Sequence, residues 1–543
     1  MPAKTKLELT WIGKENRPKL EPRILLANRE KSYHASHRVT DHDLFDNRLI
    51  FGDNLLALKA LEQEFTGKVK CIYIDPPYNT GSAFEHYDDS VEHSLWLSLI
   101  RDRLELLRRL LTQDGIFLCS IDATELFYAG VLLDEIFGRA NRVELFTWKK
   151  SYGGGAKSRY VVNQSEFIFC YAKEIGSLPP LFLPPDEKAL KYYKYKDEHY
   201  EARGPYRLQP LATTSNDDRP NLRYPIKYKG QDIWPEKQWQ WSEERVKNAR
   251  TANGIVFTEK NGKVTVSYKQ YLRDEEGEER QTKPASIIDG FYTQHGTYES
   301  VELFGQENKF QFPKPEGLLQ YLLEMSTKRG DWVLDSFAGS GTTGAVAHKM
   351  GRRWIMVELG EHCHTHIIPR LKKVIDGEDK GGITEAVGWK GGGGFRYYHL
   401  APSLLEKDKW GNWVINKGYN PAMLAQAVCK LEGFIYAPSD TIYWQHGHST
   451  ERDFIYVTTQ NLSHDQLQAL SDEVGEGRSL LVMCSAFRLP AAPARAGTGG
   501  SRGSAAQAGG KPDKYSNLTI KKIPKTVLTR CEWGHDDYSL KIE

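Results

Sequence analysis

Two periodicities trade places along this chain. Short apolar runs of strand length include Leu49-Ile50-Phe51, Val69-Lys70-Cys71-Ile72-Tyr73-Ile74 and Ile116-Phe117-Leu118-Cys119-Ser120-Ile121-Asp122. Near-continuous, β-branched runs of this kind fit strands buried on both faces. Between them, apolar positions recur at helical spacing from Asn54 and from Leu95 to Leu111, and a further helix is expected from about Thr124 to Phe137. Strands are expected near Arg142 to Trp148 and from Glu166 to Lys173. The alternation resumes with a helix from Glu316 to Thr327 and strands ending at Asp335 and at Glu358. Strands alternating with helices predict an α/β fold with a Rossmann-like, doubly wound sheet. Past residue 400, Asp453 to Thr459 and Leu480 to Cys484 read as strands around a helix from Ser463 to Val474, a C-terminal α/β domain.

Composition divides this pattern further. It shifts at Pro179-Pro180, and Gly391-Gly392-Gly393-Gly394 marks a second boundary. The expected organisation is an N-terminal extension over 1–47, one half of the sheet domain over 48–178, an inserted domain over 179–294, the other half over 295–390, and a C-terminal domain over 391–543. Within the last, residues 490–512 are rich in Ala, Gly and Ser and read as a flexible linker or loop. A net charge of +2 requires any nucleic-acid surface to be a local patch. Such a patch is visible from Lys188 to Arg250, where 14 Lys and Arg face 9 Asp and Glu, interleaved with Tyr192, Tyr193, Trp234, Trp239 and Trp241. The composition fits a solvated, charged face equally well. Seven cysteines form no C-x-x-C pair, as expected of reduced thiols in a cytoplasmic protein. No run of about 18 apolar residues and no apolar leader occurs, so neither membrane spanning nor secretion is expected.

Two stretches carry candidate chemistry. Asp75-Pro76-Pro77-Tyr78 follows the strand that ends at Ile74. Consecutive prolines fix φ and remove two backbone donors, which makes a rigid corner where open α/β sheets bind ligands. Asp75 and the Pro76 carbonyl are acceptors for an amine, and Tyr78 offers a face to a planar ring. Asp335-Ser336-Phe337-Ala338-Gly339-Ser340-Gly341-Thr342-Thr343 is a strand end, a Gly-rich turn and a helix start, with Glu358 ending the next strand. An acid so placed suits a ribose, and with Gly344 the turn also satisfies G-x-G-x-x-G, which leaves a dinucleotide such as NAD open. The corner beside it suits amine chemistry rather than hydride transfer. No Walker phosphate loop is present.

Together these residues resemble the amino-methyltransferases that use S-adenosylmethionine on DNA. With the Asp-Pro-Pro-Tyr block first, the chain is similar to their permuted β group. The wider resemblance is to modification subunits of type III restriction systems, through Leu49 to Leu56, Asp75 to Gly81, Asp335 to Thr343 and the Lys521-to-Asp537 tail. It implies methyl transfer to adenine N6 in duplex DNA, with Asp75, Pro76, Pro77 and Tyr78 catalytic and the target base flipped out. By family habit, Asp rather than Ser at position 75 favours adenine N6 over cytosine N4. The cofactor would be held by Asp335, Phe337, Gly339, Gly341, Thr342 and Glu358, with Lys314 beside its methionine end and Asp53 near its adenine. Asp53 also reads as a helix cap. Asn79, Asn163 and Phe167 are implied near the substrate adenine, although Phe167 also reads as core. The inserted domain would be the target-recognition domain, with Arg219 and Arg223 as DNA contacts. Double-stranded DNA, a restriction or helicase subunit and a second copy of the chain are the implied partners. No metal is expected, because only His362 and His366 of the 362–366 histidines share a helical face. Three alternatives stay open: an RNA adenine methyltransferase, a modifier of a glutamine amide, and a recognition subunit without catalysis.

Overall fold

The computed structural model describes residues 8–78, 93–153, 159–488, 515–523 and 538. Asn79, the segment 490–512 and most of the Lys521-to-Asp537 tail lie outside these residues. The chain divides into two compact units, Pro180–Pro284 and the remainder on either side of it.

The larger unit is built on one ten-stranded sheet. Its strands, in chain order, are β1 (Leu25–His34), β2 (Asn47–Phe51), β3 (Val69–Ile74), β4 (Leu111–Ile121), β5 (Arg142–Lys149), β6 (Ser165–Ala172), β7 (Ile287–Ile288), β8 (Trp332–Asp335), β9 (Arg353–Glu358) and β10 (Gly394–Leu400). Across the sheet they run β1-β10-β2-β9-β8-β3-β4-β6-β5-β7. The central strands β2, β9, β8, β3 and β4 are parallel, and β6 returns antiparallel to β4 with Ile121 opposite Phe167. That reversal places the start of β6 at the carboxyl end of the parallel strands. Strands β8 and β3 are neighbours although the whole inserted unit lies between them in sequence, which is the permuted order expected from the motifs.

Helices cover both faces, as a parallel sheet of fully buried strands requires. On one face α1 (Asn54–Phe65), α2 (His93–Leu110) and α3 (Leu126–Leu133) pack with Ile72, Ile74, Phe117 and Val357 in one core. On the other, α5 (Glu316–Ser326) sets the Ser326 hydroxyl 3.4 Å from the Cys71 thiol. There too α6 (Thr342–Lys349) approaches β9 so closely that a Cβ on Gly344 would lie 2.3 Å from Met356 Cε. Two further helices, α4 (Thr293–Phe304) and α7 (Ile368–Asp376), complete the layer.

Four expectations are corrected. Residues 1–47 are more than an extension, because β1 pairs antiparallel with β10 and forms a sheet edge. The chain re-enters the large unit at Ala285 rather than 295, and β7 pairs with β5. The glycines at 391–394 do not end the sheet domain, since Gly394 opens β10, which lies against β2. The strands that follow, Asp453–Val457, Ser479–Cys484 and Leu518–Lys522, are the parallel part of a second, five-stranded sheet within the same unit, whose other two strands, Ile435–Tyr436 and Gly447–His448, run antiparallel. Finally, Arg101 and Arg103 of α2 stand among its polar positions in sequence, yet both are 2% exposed. Arg103 pairs with Asp53 at 3.1 Å and donates to the Leu99 carbonyl, so its charge is satisfied inside.

The smaller unit holds a three-stranded antiparallel sheet of Tyr206–Pro210, Lys263–Tyr271 and Ile255–Lys260. Its core takes in Tyr224 and Trp239, while Tyr192 and Trp234 stay exposed. Arg219 and Arg223 are surface residues paired with Asp217 at 3.3 Å and Asp218 at 2.5 Å.

Candidate active site

Five carboxylates gather at the carboxyl end of the parallel strands: Asp53 after β2, Asp75 after β3, Asp335 ending β8, Glu358 ending β9, and Glu166 at the start of the reversed β6. The prolines hold the corner after β3, and Trp96 of α2 donates to the Pro77 carbonyl at 2.8 Å. Among the described residues none donates to the Pro76 carbonyl, which is therefore left as an acceptor.

Asp75 lies in a network of charges. Lys314 Nζ is 3.0 Å from Asp75 Oδ2 and 3.2 Å from Glu166 Oε2, and it donates to the Tyr78 hydroxyl at 2.7 Å. Tyr78 in turn donates to Asp75 Oδ1 and, at 3.3 Å, to Glu166. Lys150, just past β5, reaches the other oxygen of Glu166 at 3.1 Å. Burial pushes the Asp75 carboxyl up from its usual range, with the charge of Glu166 adding and Lys314 opposing. Glu166 moves the other way. Burial opposes its ionisation, but Lys314 and Lys150 outweigh it and hold the carboxyl below the usual range. Lys314 was expected beside the cofactor; the structure places its ammonium between two acids and 5.0 Å from the centroid of the Tyr78 ring. Tyr78 is thus a hydrogen-bonding bridge here, with Lys314 at the hydroxyl edge of its ring.

The Gly-rich turn is held by its own acids. Asp335 Oδ1 accepts from the Phe337 amide at 2.9 Å and Oδ2 from the Thr343 hydroxyl at 2.5 Å. Glu358 accepts from the amides of Gly339, Leu359 and Gly360 at 2.8–2.9 Å. Gly339 and Gly341 have φ of +52° and +75°, the left-handed region that a side chain resists. At Gly341 a Cβ would also lie 3.0 Å from Ile367. The Thr342 hydroxyl lies 2.9 Å from the Ser340 hydroxyl of the turn and accepts from Arg370 of α7 at 2.8 Å. Asp53 caps α1 through the Leu56 amide at 3.0 Å and spends its other oxygen on Arg103, so a ligand contact would require one of these bonds to open. Asn163 is exposed and accepts from the Ser165 amide, and Phe167 packs against the core under α1–α3. The residue between them was missed. Glu166 opens an otherwise apolar strand, and a lone acid at such a position is the signal that marked it.

Behind the turn lies a fully buried ionic cluster. Lys349 pairs with Glu316 at 2.8 Å and with Asp379 at 2.7 Å, and Arg370 pairs with Glu316 at 2.9 Å. Glu299 of α4 accepts from the first amide of α5, Glu316 N–H, at 3.0 Å. Burial, with the Glu316 charge adding, pushes the Glu299 carboxyl up to about 7. An acid raised in the fold favours folding while protonated in both states, and that advantage is lost as pH rises from about 4.5 to 7. Glu299→Gln keeps an acceptor for the amide without the charge. It is expected to stabilise the protein by about 1–3 kcal/mol at pH 8 and by little at pH 4.5. Thermal unfolding at both values checks this, and an equal difference at each would refute it.

The doubly wound sheet in permuted order sets a Gly-rich turn and an acid on two adjacent strands, with the Pro-Pro corner on the next. The chain belongs to the DNA methylase family, whose model matches residues 69–369. It is 32% identical over 425 residues to the probable type III restriction-modification enzyme HindVI Mod subunit of Haemophilus influenzae, covering 67% of this chain and 55% of that protein. It is 30% identical to the EcoPI Mod subunit of Escherichia phage P1, covering 64% and 62%. To the type II methyltransferase M.KpnI of Klebsiella pneumoniae it is 28% identical, covering 60% and 81%. The chain therefore spans little more than half the length of the Haemophilus relative. No helix among the described residues is long and apolar enough to cross a membrane.

Proposed function

We propose that this chain transfers a methyl group from S-adenosylmethionine to adenine N6 at a specific site in duplex DNA, as the modification and recognition subunit of a restriction or defence system. The observation that carries this reading is the Asp75-Pro76 corner, with two acceptors for one amine, beside the Gly-rich turn.

The residues present fit the cofactor. Burial pushes the Asp335 carboxyl up to about 7, with Asp75 and Glu358 adding to the effect after its own hydrogen bonds oppose it. A cluster of carboxylates that raise one another's pKa favours a cation. The Ser336 hydroxyl, 1% exposed, lacks a hydrogen-bond partner among the described residues, an orphaned polar atom at the same turn. Asp335, Phe337, Gly339, Gly341 and Glu358 would hold the molecule, which supplies a methyl group activated on a sulfonium. The chain's own work is to hold the amine. Asp75 and the Pro76 carbonyl accept its two N–H bonds, which aims the nitrogen lone pair and stabilises the positive charge that develops there. The lone pair would form the new N–C bond as the methyl–sulfur bond breaks and its electron pair stays on sulfur, and an N–H proton would then leave with Asp75 as the nearest acceptor. A base inside a duplex is out of reach, so it must be flipped into the site.

The Mod subunits of restriction-modification enzymes among the relatives support a DNA substrate and a restriction subunit as partner; a duplex target and assembly as a dimer belong to the same proposal. The smaller unit, with its basic and aromatic stretch, is then the recognition domain. Exposed ion pairs are worth little, so Arg219 and Arg223 are readily released from Asp217 and Asp218 to phosphates or bases. The double substitution Arg219→Ala with Arg223→Ala is expected to weaken DNA binding about 10-fold with a shallower salt dependence, leaving cofactor affinity unchanged. Equal DNA affinity across a salt titration would remove these residues from the interface.

The reaction itself is tested by transfer of labelled methyl from S-adenosylmethionine to bacterial DNA that lacks this modification. N6-methyladenine confined to one short sequence is the expected result. Cofactor binding without transfer to any DNA would overturn the reading in favour of an RNA substrate or a recognition subunit.

A further inference from the structure

Resting on the proposed reaction, one feature of the site has no role in it so far: the Lys314 ammonium lies where the target amine has to go. Its three contacts, to Asp75 Oδ2, the Tyr78 hydroxyl and Glu166 Oε2, are all within 3.2 Å. The backbone that carries it is fixed. Pro313 and Pro315 flank it, and α4 packs so close that a Cβ on Gly296 would lie 2.4 Å from the Pro313 carbonyl. Any change in where the ammonium lies therefore comes from the side chain alone.

Two demands fall on one carboxylate. An amine donating to Asp75 has to share oxygens already engaged by Lys314 on Oδ2 and by Tyr78 on Oδ1, and the positive charge that develops on that amine would sit beside a second cation in a poorly screened site. Among the described residues Lys314 has one other acid in contact, Glu166 at 3.2 Å. We propose that Glu166 is a positioning residue that draws the Lys314 ammonium off Asp75 when the target amine enters, leaving Asp75 free to accept from it. The chemistry of the two acids supports the direction of the shift. Glu166 is the stronger anion, kept charged against its burial by Lys314 and Lys150, whereas burial makes Asp75 the weaker one. Lys150 holds the far oxygen of Glu166 at 3.1 Å, which keeps the carboxylate facing Lys314. Lys314 then acts as a cap on the empty site. It shields two acids from mutual repulsion until a substrate amine replaces it on one of them.

The test compares single-turnover methyl transfer by the full-length protein and three variants, with cofactor affinity and thermal unfolding measured on each. Glu166→Gln removes the competing charge and strands Lys314 on Asp75. It is expected to lower the transfer rate roughly 10- to 100-fold with cofactor affinity unchanged. Glu166→Asp, which keeps the charge, is expected to recover part of that loss. The decisive variant is Glu166→Gln combined with Lys314→Met. With no ammonium left to displace, it is expected to be at least about 10-fold faster than Glu166→Gln alone. A residue needed only for packing would show no such rescue. A double variant as slow as Glu166→Gln, in a folded protein whose wild type transfers methyl, overturns this inference and leaves the reaction standing. Absence of transfer by the wild type overturns the reaction and the inference with it.

Discussion

Asp75→Ala is expected to lower methyl transfer by about 10³- to 10⁴-fold, equivalent to about 4–5.5 kcal/mol of transition-state stabilisation. The size follows from what the carboxylate does. It is the carboxylate of the Asp-Pro-Pro-Tyr corner, and in the proposed reaction it faces the nitrogen on which positive charge develops. The Pro76 carbonyl remains in the variant and can hold one N–H, but it carries no full charge. Cofactor binding is expected to survive with a modest loss of affinity, since Asp335 and Glu358 hold the turn through contacts that do not involve Asp75 while one acid of the cluster is gone. The substitution also frees Lys314 to pair with Glu166 alone, 3.2 Å away, so no buried cation is orphaned and the fold should survive. Single-turnover transfer and cofactor titration on the same preparation check both halves. Activity within 10-fold of wild type would remove Asp75 from the reaction.

Lys349→Met is expected to cost about 3–5 kcal/mol of stability. Lys349 is fully buried with Glu316 and Asp379, and Arg370 shares the Glu316 carboxylate. Removing the lysine leaves two buried acids facing one guanidinium. The cost is the unpaired charge rather than the lost attraction, so Lys349→Met combined with Asp379→Asn should recover part of it. The cluster also braces the cofactor turn. Arg370 donates to the Ser340 carbonyl at 3.3 Å and to the Thr342 hydroxyl at 2.8 Å, so cofactor affinity is expected to fall in the same variant. Denaturant unfolding and cofactor titration measure the two effects. A loss below about 1 kcal/mol would show that the acids take up protons and need no lysine.

The two substitutions probe different ranges of the sequence. Asp75 was legible because its chemistry is local. Two prolines follow a buried strand, and the bond geometry of proline fixes what the corner presents whatever surrounds it. The Gly-rich turn was legible for the same reason, since positive φ at Gly339 and Gly341 is written in residue type. Lys349 ends one helix, and Arg101 and Arg103 occupy polar positions on another. Their burial depends on acids that no short window contains: Glu316, Asp379 and Asp53.

The sequence by itself determined which segments are strands and helices, which strand ends carry acids, and where the Pro-Pro corner and the Gly-rich turn fall. Each of these is a property of consecutive residues: side-chain period, backbone freedom, or a carboxylate at a fixed offset from a turn. Only the tertiary structure decided that Glu166 and Lys314 share a site with Asp75, that β1 and β10 close the sheet, and that the inserted unit spans 180–284. Tyr78 and Lys314 touch across 236 residues of chain. Crossover connections bring distant strand ends side by side, and the order in which strands pack is set by the burial of whole faces against one another, which no stretch of sequence carries alone.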